Sequence, residues 1–188
     1  GFPNYSKNLF VEYFWEKKEG ADYVIGSRRN IRNDRPIIGT YGTNREGSGD
    51  MYSKGGNMLH TIRQLVNDDE KWRAILQGLN REFRHQTVST EQIESYIGGQ
   101  AGIDLSKVCD QYLMSTKIPL LQYRIDGNKL VFKYDRVVTG FAMPLRVAIN
   151  GKDMSITPTD QSQTFTSSEE IRSIEVDRNF YVESERLQ

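Results

Sequence analysis

The amino-acid sequence predicts an α+β fold in which a helical part, residues 1–118, precedes a small antiparallel β-sandwich, residues 119–188. The first observation is a change of hydrophobic period: apolar residues recur every three or four positions before Ile118-Pro119 and every second position after it. The second is a series of turn signals, such as Asn150-Gly151, that divide the later part into short segments. The third is composition, because 37% hydrophobic and 11% aromatic residues are enough for a packed core.

The first helices are predicted from the spacing of apolar residues. One covers residues 5–18, carries its apolar residues on a single stripe and is expected to end at Gly20. A shorter helix over about residues 21–31 follows. The run Asn33-Asp34-Arg35-Pro36 ends it, because proline lacks an N–H and disfavours helix in the residue before it. Residues 37–49 are rich in glycine and are expected to form a loop.

Four more helices are expected before the strands begin. The clearest keeps a continuous apolar stripe over residues 51–66. The next has its buried face over residues 72–83 and is preceded by carboxylates, which the helix dipole favours at an amino end. A capping box over residues 89–92 opens a short helix that is expected to end at Gly98-Gly99. Asp104 is expected to cap the last helix.

The strands are predicted from apolar residues at alternate positions. Residues 121–134 read as a hairpin with its turn at Asp126-Gly127-Asn128. Residues 145–156 form a second hairpin around Asn150-Gly151, the strongest hairpin signal in the chain. Shorter alternating segments lie at 163–165 and 171–176. About six short antiparallel strands separated by turns are typical of a small β-sandwich.

Charge and composition exclude several classes of function. The 25 Lys and Arg residues balance 25 Asp and Glu residues, so the chain lacks the net positive charge of a nucleic-acid binder or a polybasic membrane-surface protein. No run approaches the roughly 20 apolar residues of a membrane span, and the first residues lack the basic-then-apolar layout of a signal peptide. We therefore expect no nucleic-acid partner and no membrane span, while the compartment stays open.

Few residues are suited to metal or nucleophilic chemistry. Cys109 lies on an apolar stripe and is interpreted as a small core residue. His60 is interpreted as a hydrogen-bonded structural histidine, and His85 as a dipole partner at a helix carboxyl end. Neither histidine belongs to an H-E-x-x-H motif, no serine lies in a nucleophile elbow, and the glycines of residues 47–56 fit no nucleotide-binding pattern. No metal or cofactor is therefore expected to bind through this chain alone.

One helix carries a more specific pattern. The run Asp50–Arg63, with Tyr52-Ser53-Lys54-Gly55 near its start, resembles the Tyr-x-Lys-Gly helix of the aminopeptidase N family of zinc peptidases, the thermolysin-like gluzincins. Other segments agree with the family in their order along the chain: residues 67–72, 88–91, 102–105 and 118–119. The similarity extends over nearly the whole chain, and its specific part is the Tyr-x-Lys-Gly helix.

The resemblance implies that residues 1–118 are the helical C-terminal lobe of a gluzincin catalytic domain and that the β-sandwich, residues 119–188, follows it. In the family a segment similar to Glu-Gly-Phe-x-x-Tyr supplies the third zinc ligand. This chain begins Gly1-Phe2-Pro3-Asn4-Tyr5, so that ligand would fall immediately before residue 1. The chain is then expected to belong to a zinc aminopeptidase that hydrolyses N-terminal peptide bonds, with zinc bound only in the full-length enzyme and no activity in the chain alone.

Tyr52 is the one catalytic residue that the resemblance implies. The equivalent tyrosine in the family donates a hydrogen bond to the carbonyl oxygen that becomes the oxyanion during attack by zinc-bound water. From the residues alone, Tyr52 is instead interpreted as a core tyrosine, because the adjacent glycines and Leu59 place it beside the apolar stripe. Lys54 and Arg63 match the family pattern without an assigned role.

A second class of function stays open: a non-catalytic module, helical with an immunoglobulin-like sandwich, that presents a groove to a peptide or protein partner. Zinc ligands encoded upstream would decide between the two classes. In the catalytic interpretation the partners are the peptide substrate and the upstream catalytic segment of the same polypeptide. Separation from that segment should leave apolar surface uncovered, so the chain is expected either to self-associate or to expose an apolar patch around its first helix. The residues expected to form this surface are Phe2, Phe10, Phe14 and Trp15.

Overall fold

The computed structural model describes residues 1–40, 42–43 and 47–188, and within them six α-helices precede seven β-strands. The helices are α1 (Phe2–Phe14), α2 (Lys17–Gly26), α3 (Ser53–Val66), α4 (Asp69–Glu82), α5 (Thr90–Ala101) and α6 (Ser106–Cys109). Two 3-10 turns, Ser27–Asn30 and Gly49–Met51, flank the loop before α3, and a π-helical turn, Asp110–Met114, continues α6. The fold is α+β, as predicted. In the described part of the chain, every helix is too short or too polar to cross a membrane.

The strands form two small sheets. They are β1 (Leu120–Asp126), β2 (Lys129–Asp135), β3 (Leu145–Ile149), β4 (Lys152–Ile156), β5 (Gln163–Thr166), β6 (Ile174–Val176) and β7 (Glu183–Arg186). One sheet has the order β5-β2-β1-β7 and the other β4-β3-β6. Both predicted hairpins are confirmed, since β1 pairs with β2 and β3 with β4 in antiparallel register.

The prediction that every strand is antiparallel is wrong, because β7 pairs with β1 in parallel. The sequence pattern also does not predict β7. Its four residues are all exposed, so the segment has no alternation of apolar and polar residues from which a strand could be predicted. The segment predicted at 171–176 is strand only over Ile174–Val176, and Ile171 is a buried loop residue whose N–H donates to the Gly127 carbonyl.

Two predicted helix ends are wrong, because Gly20 and Gly98 lie inside helices, where they allow close packing instead of ending the helix. α1 ends at Phe14, and Gly20 lies inside α2, where an added Cβ would come within 2.8 Å of the Glu12 Cβ on α1. α5 runs through Gly98 and Gly99 to Ala101 and is ended by Gly102 in the left-handed region, at φ 74°. α3 and α4 follow the predicted stripes, and Ser89 forms the predicted capping box. The helix predicted over about residues 21–31 is α2, which begins at Lys17 and ends at Gly26. The last helix has Leu105 and not Asp104 at its N-cap, although Asp104 accepts the Ser106 N–H at 2.9 Å.

A single buried cluster contains residues from both the helices and the strands. Its largest helical members include Tyr5, Trp72 and Tyr112, and its strand members include Leu121 and Tyr134. Hydrogen bonds join the same two parts: the Tyr112 hydroxyl donates to the Tyr181 carbonyl at 2.6 Å. The Tyr181 N–H also donates to Thr61 Oγ1 of α3 at 2.9 Å, so the segment before β7 is fixed against the helix that follows Tyr52.

Candidate functional site

Tyr52 lies at the amino end of α3, where the 3-10 turn Gly49–Met51 passes into the helix. Its side chain is 58% exposed, so Tyr52 is not part of the core. Its backbone is fixed nonetheless. The Tyr52 carbonyl accepts hydrogen bonds from the Gly56 N–H at 3.0 Å and from Asn4 Nδ2 at 3.1 Å. An exposed phenol on a fixed backbone can donate a hydrogen bond to an external group.

The amino ends of α1 and α3 lie side by side because two glycines of α3 let the helices approach closely. A Cβ added to Gly55 would lie 3.0 Å from the Gly1 Cα, and one added to Gly56 would lie 3.3 Å from Asn4 Nδ2. The two helices run in the same direction, since Arg63 in the last turn of α3 bonds Glu12 near the end of α1. Tyr52 therefore stands where two helix dipoles both favour negative charge.

Two charged residues close to Tyr52 are buried. The Asp50 carboxylate accepts backbone N–H groups of Arg32 at 2.9 Å and Asn33 at 2.6 Å. Lys54 has a fully buried side chain, and its Nζ donates to the Ser115 carbonyl at 2.7 Å. Burial lowers the pKa of Lys54, while the nearby negative charge of Asp50 acts in the opposite direction. Neither contact could be found from the sequence, because each joins residues that are far apart in the chain.

Further along α3, Arg63 is buried between two acidic side chains. It donates to both carboxylate oxygens of Glu12, at 2.5 and 2.7 Å, and to Asp69 Oδ1 at 2.8 Å. Burial alone would lower the pKa of Arg63, but the hydrogen bonds with Glu12 and Asp69 raise it overall. The bond from Arg63 also lowers the pKa of Asp69 to about 2. Each of its three guanidinium nitrogens donates to a carboxylate of α1 or α4, so Arg63 joins three helices.

The histidines and the cysteine occupy separate places. His60 is buried and donates from Nε2 to Asn179 Oδ1 at 3.0 Å, and its burial lowers its pKa to about 4. His85 follows α4 in the left-handed region and accepts a hydrogen bond from the adjacent Arg84. Cys109 is buried, which raises its pKa to about 12. His60 and Cys109 occupy positions that fit the structural interpretations, whereas His85 lies three residues beyond the end of α4 and bonds the Arg84 side chain.

The described residues do not fit a zinc ion. Within residues 1–40, 42–43 and 47–188, no group of three or more His, Cys, Asp or Glu side chains converges as metal ligands would. Tyr52 therefore has no metal-binding neighbours among these residues, and no chemical step through zinc can be derived from this chain.

A groove of about 1060 Å³ lies between α1 and α4. Its lining includes Leu9 and Tyr13 from α1, and Trp72 and Leu76 from α4, but not Tyr52. Next to it, α1 exposes the α1 aromatic patch, which we define as Phe10, Tyr13, Phe14 and Trp15. Phe2, Phe10, Phe14 and Trp15 are each more than a third exposed, so the apolar surface expected at this helix is present.

Comparisons with known proteins identify aminopeptidases, although no protein-family model matches the chain. Over 135 residues the chain is 22% identical to a protein described as probable aminopeptidase 1 of Sulfurisphaera tokodaii; the match covers 68% of this chain and 17% of that protein. The structure is similar to aminopeptidase A of Legionella pneumophila, crystallised with aspartic acid, with a TM-score of 0.68 and 16% identity over 98% of this chain and 23% of that one. The chain thus has an aminopeptidase-like fold and spans less than a quarter of either protein.

Proposed function

We propose that this chain is part of the catalytic domain of a zinc-dependent aminopeptidase of the aminopeptidase N family. Residues 1–118 would be the helical lobe of the gluzincin domain, and residues 119–188 the β-sandwich that follows it. The weak sequence similarity and the shared fold support a peptidase. In this proposal the zinc ligands come from a segment upstream of residue 1, as the resemblance to the aminopeptidase N family implies.

The observation that carries this proposal is the position of Tyr52 beside residue 1. The resemblance places the third zinc ligand immediately before Gly1, and the Gly1 Cα is 3.0 Å from the Cβ position of Gly55, within one helical turn of Tyr52. A ligand entering at that point would therefore lie within about one helical turn of the Tyr52 backbone, which carries the exposed phenol. The two positions are 51 residues apart in the sequence, so this proximity is a property of the fold.

In the proposed reaction, Tyr52 stabilises negative charge on the carbonyl oxygen of the first peptide bond of a substrate. Its hydroxyl donates a hydrogen bond that strengthens as the oxygen becomes an oxyanion. The parallel amino ends of α1 and α3 favour negative charge in the same region. The chain supplies this donor and its fixed backbone, and we derive no other step from it.

Replacement of Tyr52 tests the proposal in the full-length protein that carries this chain. Tyr52→Phe removes one oxygen and keeps the ring, and an exposed tyrosine contributes little to folding. We expect kcat on an aminoacyl-p-nitroanilide to fall by about 10²–10³, with little change in KM, zinc content or melting temperature. Tyr23→Phe, at another exposed tyrosine, is the matched control and should keep kcat unchanged.

Near-normal kcat in Tyr52→Phe would contradict the catalytic role.

The isolated 188-residue chain provides a second test. It should retain no stoichiometric zinc after dialysis and should not hydrolyse the same anilide, and stoichiometric zinc with turnover would contradict the proposal that the ligands lie upstream.

The groove between α1 and α4 favours a second candidate, a non-catalytic module that binds a peptide or protein partner. Its lining combines apolar side chains such as Leu9 and Trp72 with polar ones such as Gln77 and Asn80, a mixture that is usual in ligand-binding grooves. Binding of unhydrolysed peptides to the full-length protein, weakened by Leu76→Lys in the groove but not by Tyr52→Phe, would favour this candidate. Hydrolysis that depends on Tyr52 would favour the peptidase.

A further inference from the structure

The exposed phenol of Tyr52 stands between two buried charged residues. Asp50, two residues before it, has only 4% of its surface accessible, and Lys54, two residues after it, has none. Burying a carboxylate and an ammonium is unfavourable unless each is compensated, and apolar residues at such positions are often as stable. Two buried charges on either side of one exposed residue therefore need a reason other than stability.

Asp50 fixes the turn that leads into α3. Its two carboxylate oxygens accept the N–H groups of consecutive residues, Arg32 and Asn33, and so bind the turn to a distant segment. On the other side, Ser48 Oγ accepts the Asp50 N–H at 3.2 Å and donates to Asp34 Oδ1 at 2.7 Å. The turn Gly49–Met51 is thus held through both the backbone and the side chain of Asp50.

Lys54 fixes the first turn of α3 to another part of the chain. The carbonyl that it bonds belongs to Ser115, which follows the π-helical turn Asp110–Met114. Carbonyls at the end of a helix carry partial negative charge, so they attract an ammonium group. Asp50 and Lys54 therefore attach the backbone on either side of Tyr52 to two different parts of the fold.

We propose that Asp50 and Lys54 are positioning residues that hold the Tyr52 hydroxyl in one orientation relative to a bound carbonyl. This inference rests on the proposed function and deepens it, because a donor to an oxyanion acts only when it is aimed before the reaction begins. It also gives Lys54 of the Tyr-x-Lys-Gly pattern a physical role. The role belongs to the buried ammonium, which reaches no substrate.

A double-mutant cycle in the full-length protein tests the proposal. Lys54→Met removes the ammonium and keeps most of the side-chain volume. We expect it to lower kcat by about 10- to 100-fold with KM within a few-fold, since small misplacement of a catalytic group has effects of this order. In the Tyr52→Phe background the same substitution should lower kcat no further, because the group that it positions is already absent.

Two further variants separate positioning from general loss of stability. Asp50→Asn keeps the shape but replaces one acceptor oxygen by a donor, and it should behave like Lys54→Met, including in the Tyr52→Phe background. If Lys54→Met does not fold, Asp50→Asn alone tests the positioning role. Tyr134→Phe removes a buried hydrogen bond, to the Met143 carbonyl, from the strand part and should lower the melting temperature without changing kcat.

Equal losses of kcat from Lys54→Met in the presence and absence of the Tyr52 hydroxyl would overturn the proposal, as would unchanged kcat in both folded variants. Amide hydrogen exchange of the peptide covering residues 48–56 provides a readout that does not depend on activity. It should become faster in Lys54→Met and Asp50→Asn but not in Tyr134→Phe, and unchanged exchange would overturn the positioning role. A Tyr52→Phe variant with normal kcat overturns the proposed function, while the exchange still decides whether these residues hold the turn.

Discussion

Helix α3 buries three basic side chains, and each is accommodated in a different way. Lys54 keeps its hydrogen bond to a helix-end carbonyl, Arg63 forms ion pairs with Glu12 and Asp69, and His60 is held next to a neutral amide. Of these, only Arg63 has a carboxylate in hydrogen-bond contact, and His60 is the one whose ordinary pKa of 6.5 lies near neutral pH. Burial therefore favours its neutral form, and Arg63 and Arg28 nearby act in the same direction.

The lowered pKa of His60 predicts that the stability of the chain changes with pH. Its pKa is about 4 in the folded chain and 6.5 when unperturbed, so between these values the unfolded state binds more protons. The free energy of unfolding should fall as the pH decreases from about 7 to about 4, by at most about 1.4 kcal/mol per pH unit. Urea denaturation at a series of pH values measures it.

Variants of the two histidines test whether His60 causes this dependence of the free energy of unfolding on pH. His60→Gln keeps an amide donor for Asn179 and should flatten the dependence between pH 4 and 6.5. His85→Asn, at an exposed position where asparagine tolerates the left-handed backbone, should leave it unchanged. The same slope in His60→Gln would show that other groups are responsible. The carboxyl of Asp69, with a pKa of about 2, responds to a lower pH range.

At the scale of elements, the two adjacent glycines of α5 give opposite predictions. A Cβ at Gly98 would lie 2.8 Å from the Ile103 carbonyl oxygen, whereas a Cβ at Gly99 would meet nothing within 4 Å. Gly99→Ala should stabilise the chain by about 0.5–1 kcal/mol, because alanine favours helix and loses less backbone freedom. Gly98→Ala gains the same helix preference, but its methyl group would push the Ile103 backbone away from α5. We therefore expect the free energy of unfolding to fall by about 1–2 kcal/mol.

Chemical denaturation of the two variants measures both changes, and each serves as the control for the other. Stabilisation by Gly98→Ala would contradict the close approach of α5 to the loop that follows it. Destabilisation by Gly99→Ala would contradict the assignment of that residue to the interior of a helix.

The same glycines show how far sequence reasoning reaches. Hydrophobic spacing predicts α3, α4 and both hairpins, because those patterns are local. It fails at Gly20 and at Gly98-Gly99, where a glycine exists for a contact with another element, and it fails at β7, which carries no apolar pattern. At the candidate site the residue pattern identifies Tyr52, while its exposure and its anchoring partners depend on long-range contacts that only the fold provides.

At the scale of the whole molecule, one core extends through helices and sheets, yet one face of the first helix lies outside it. The rings of the α1 aromatic patch touch one another: the Phe10 and Phe14 centroids are 4.6 Å apart, and those of Tyr13 and Phe14 are 5.0 Å apart. The patch is therefore continuous apolar surface. Contiguous patches of this kind mark surfaces that bind other proteins or other parts of the same chain.

We predict that the 188-residue chain self-associates through the α1 aromatic patch. The double variant Phe10→Glu/Phe14→Lys replaces two exposed rings, 57% and 59% accessible, by an acidic and a basic residue one helical turn apart, an arrangement that favours helix. Loss of association in this variant would therefore not reflect loss of the helix. Met114→Glu changes an exposed apolar residue outside the patch and should leave association intact. Sedimentation velocity over a range of concentrations measures all three proteins, and a chain that stays monomeric, or a double variant that still associates, would contradict the prediction.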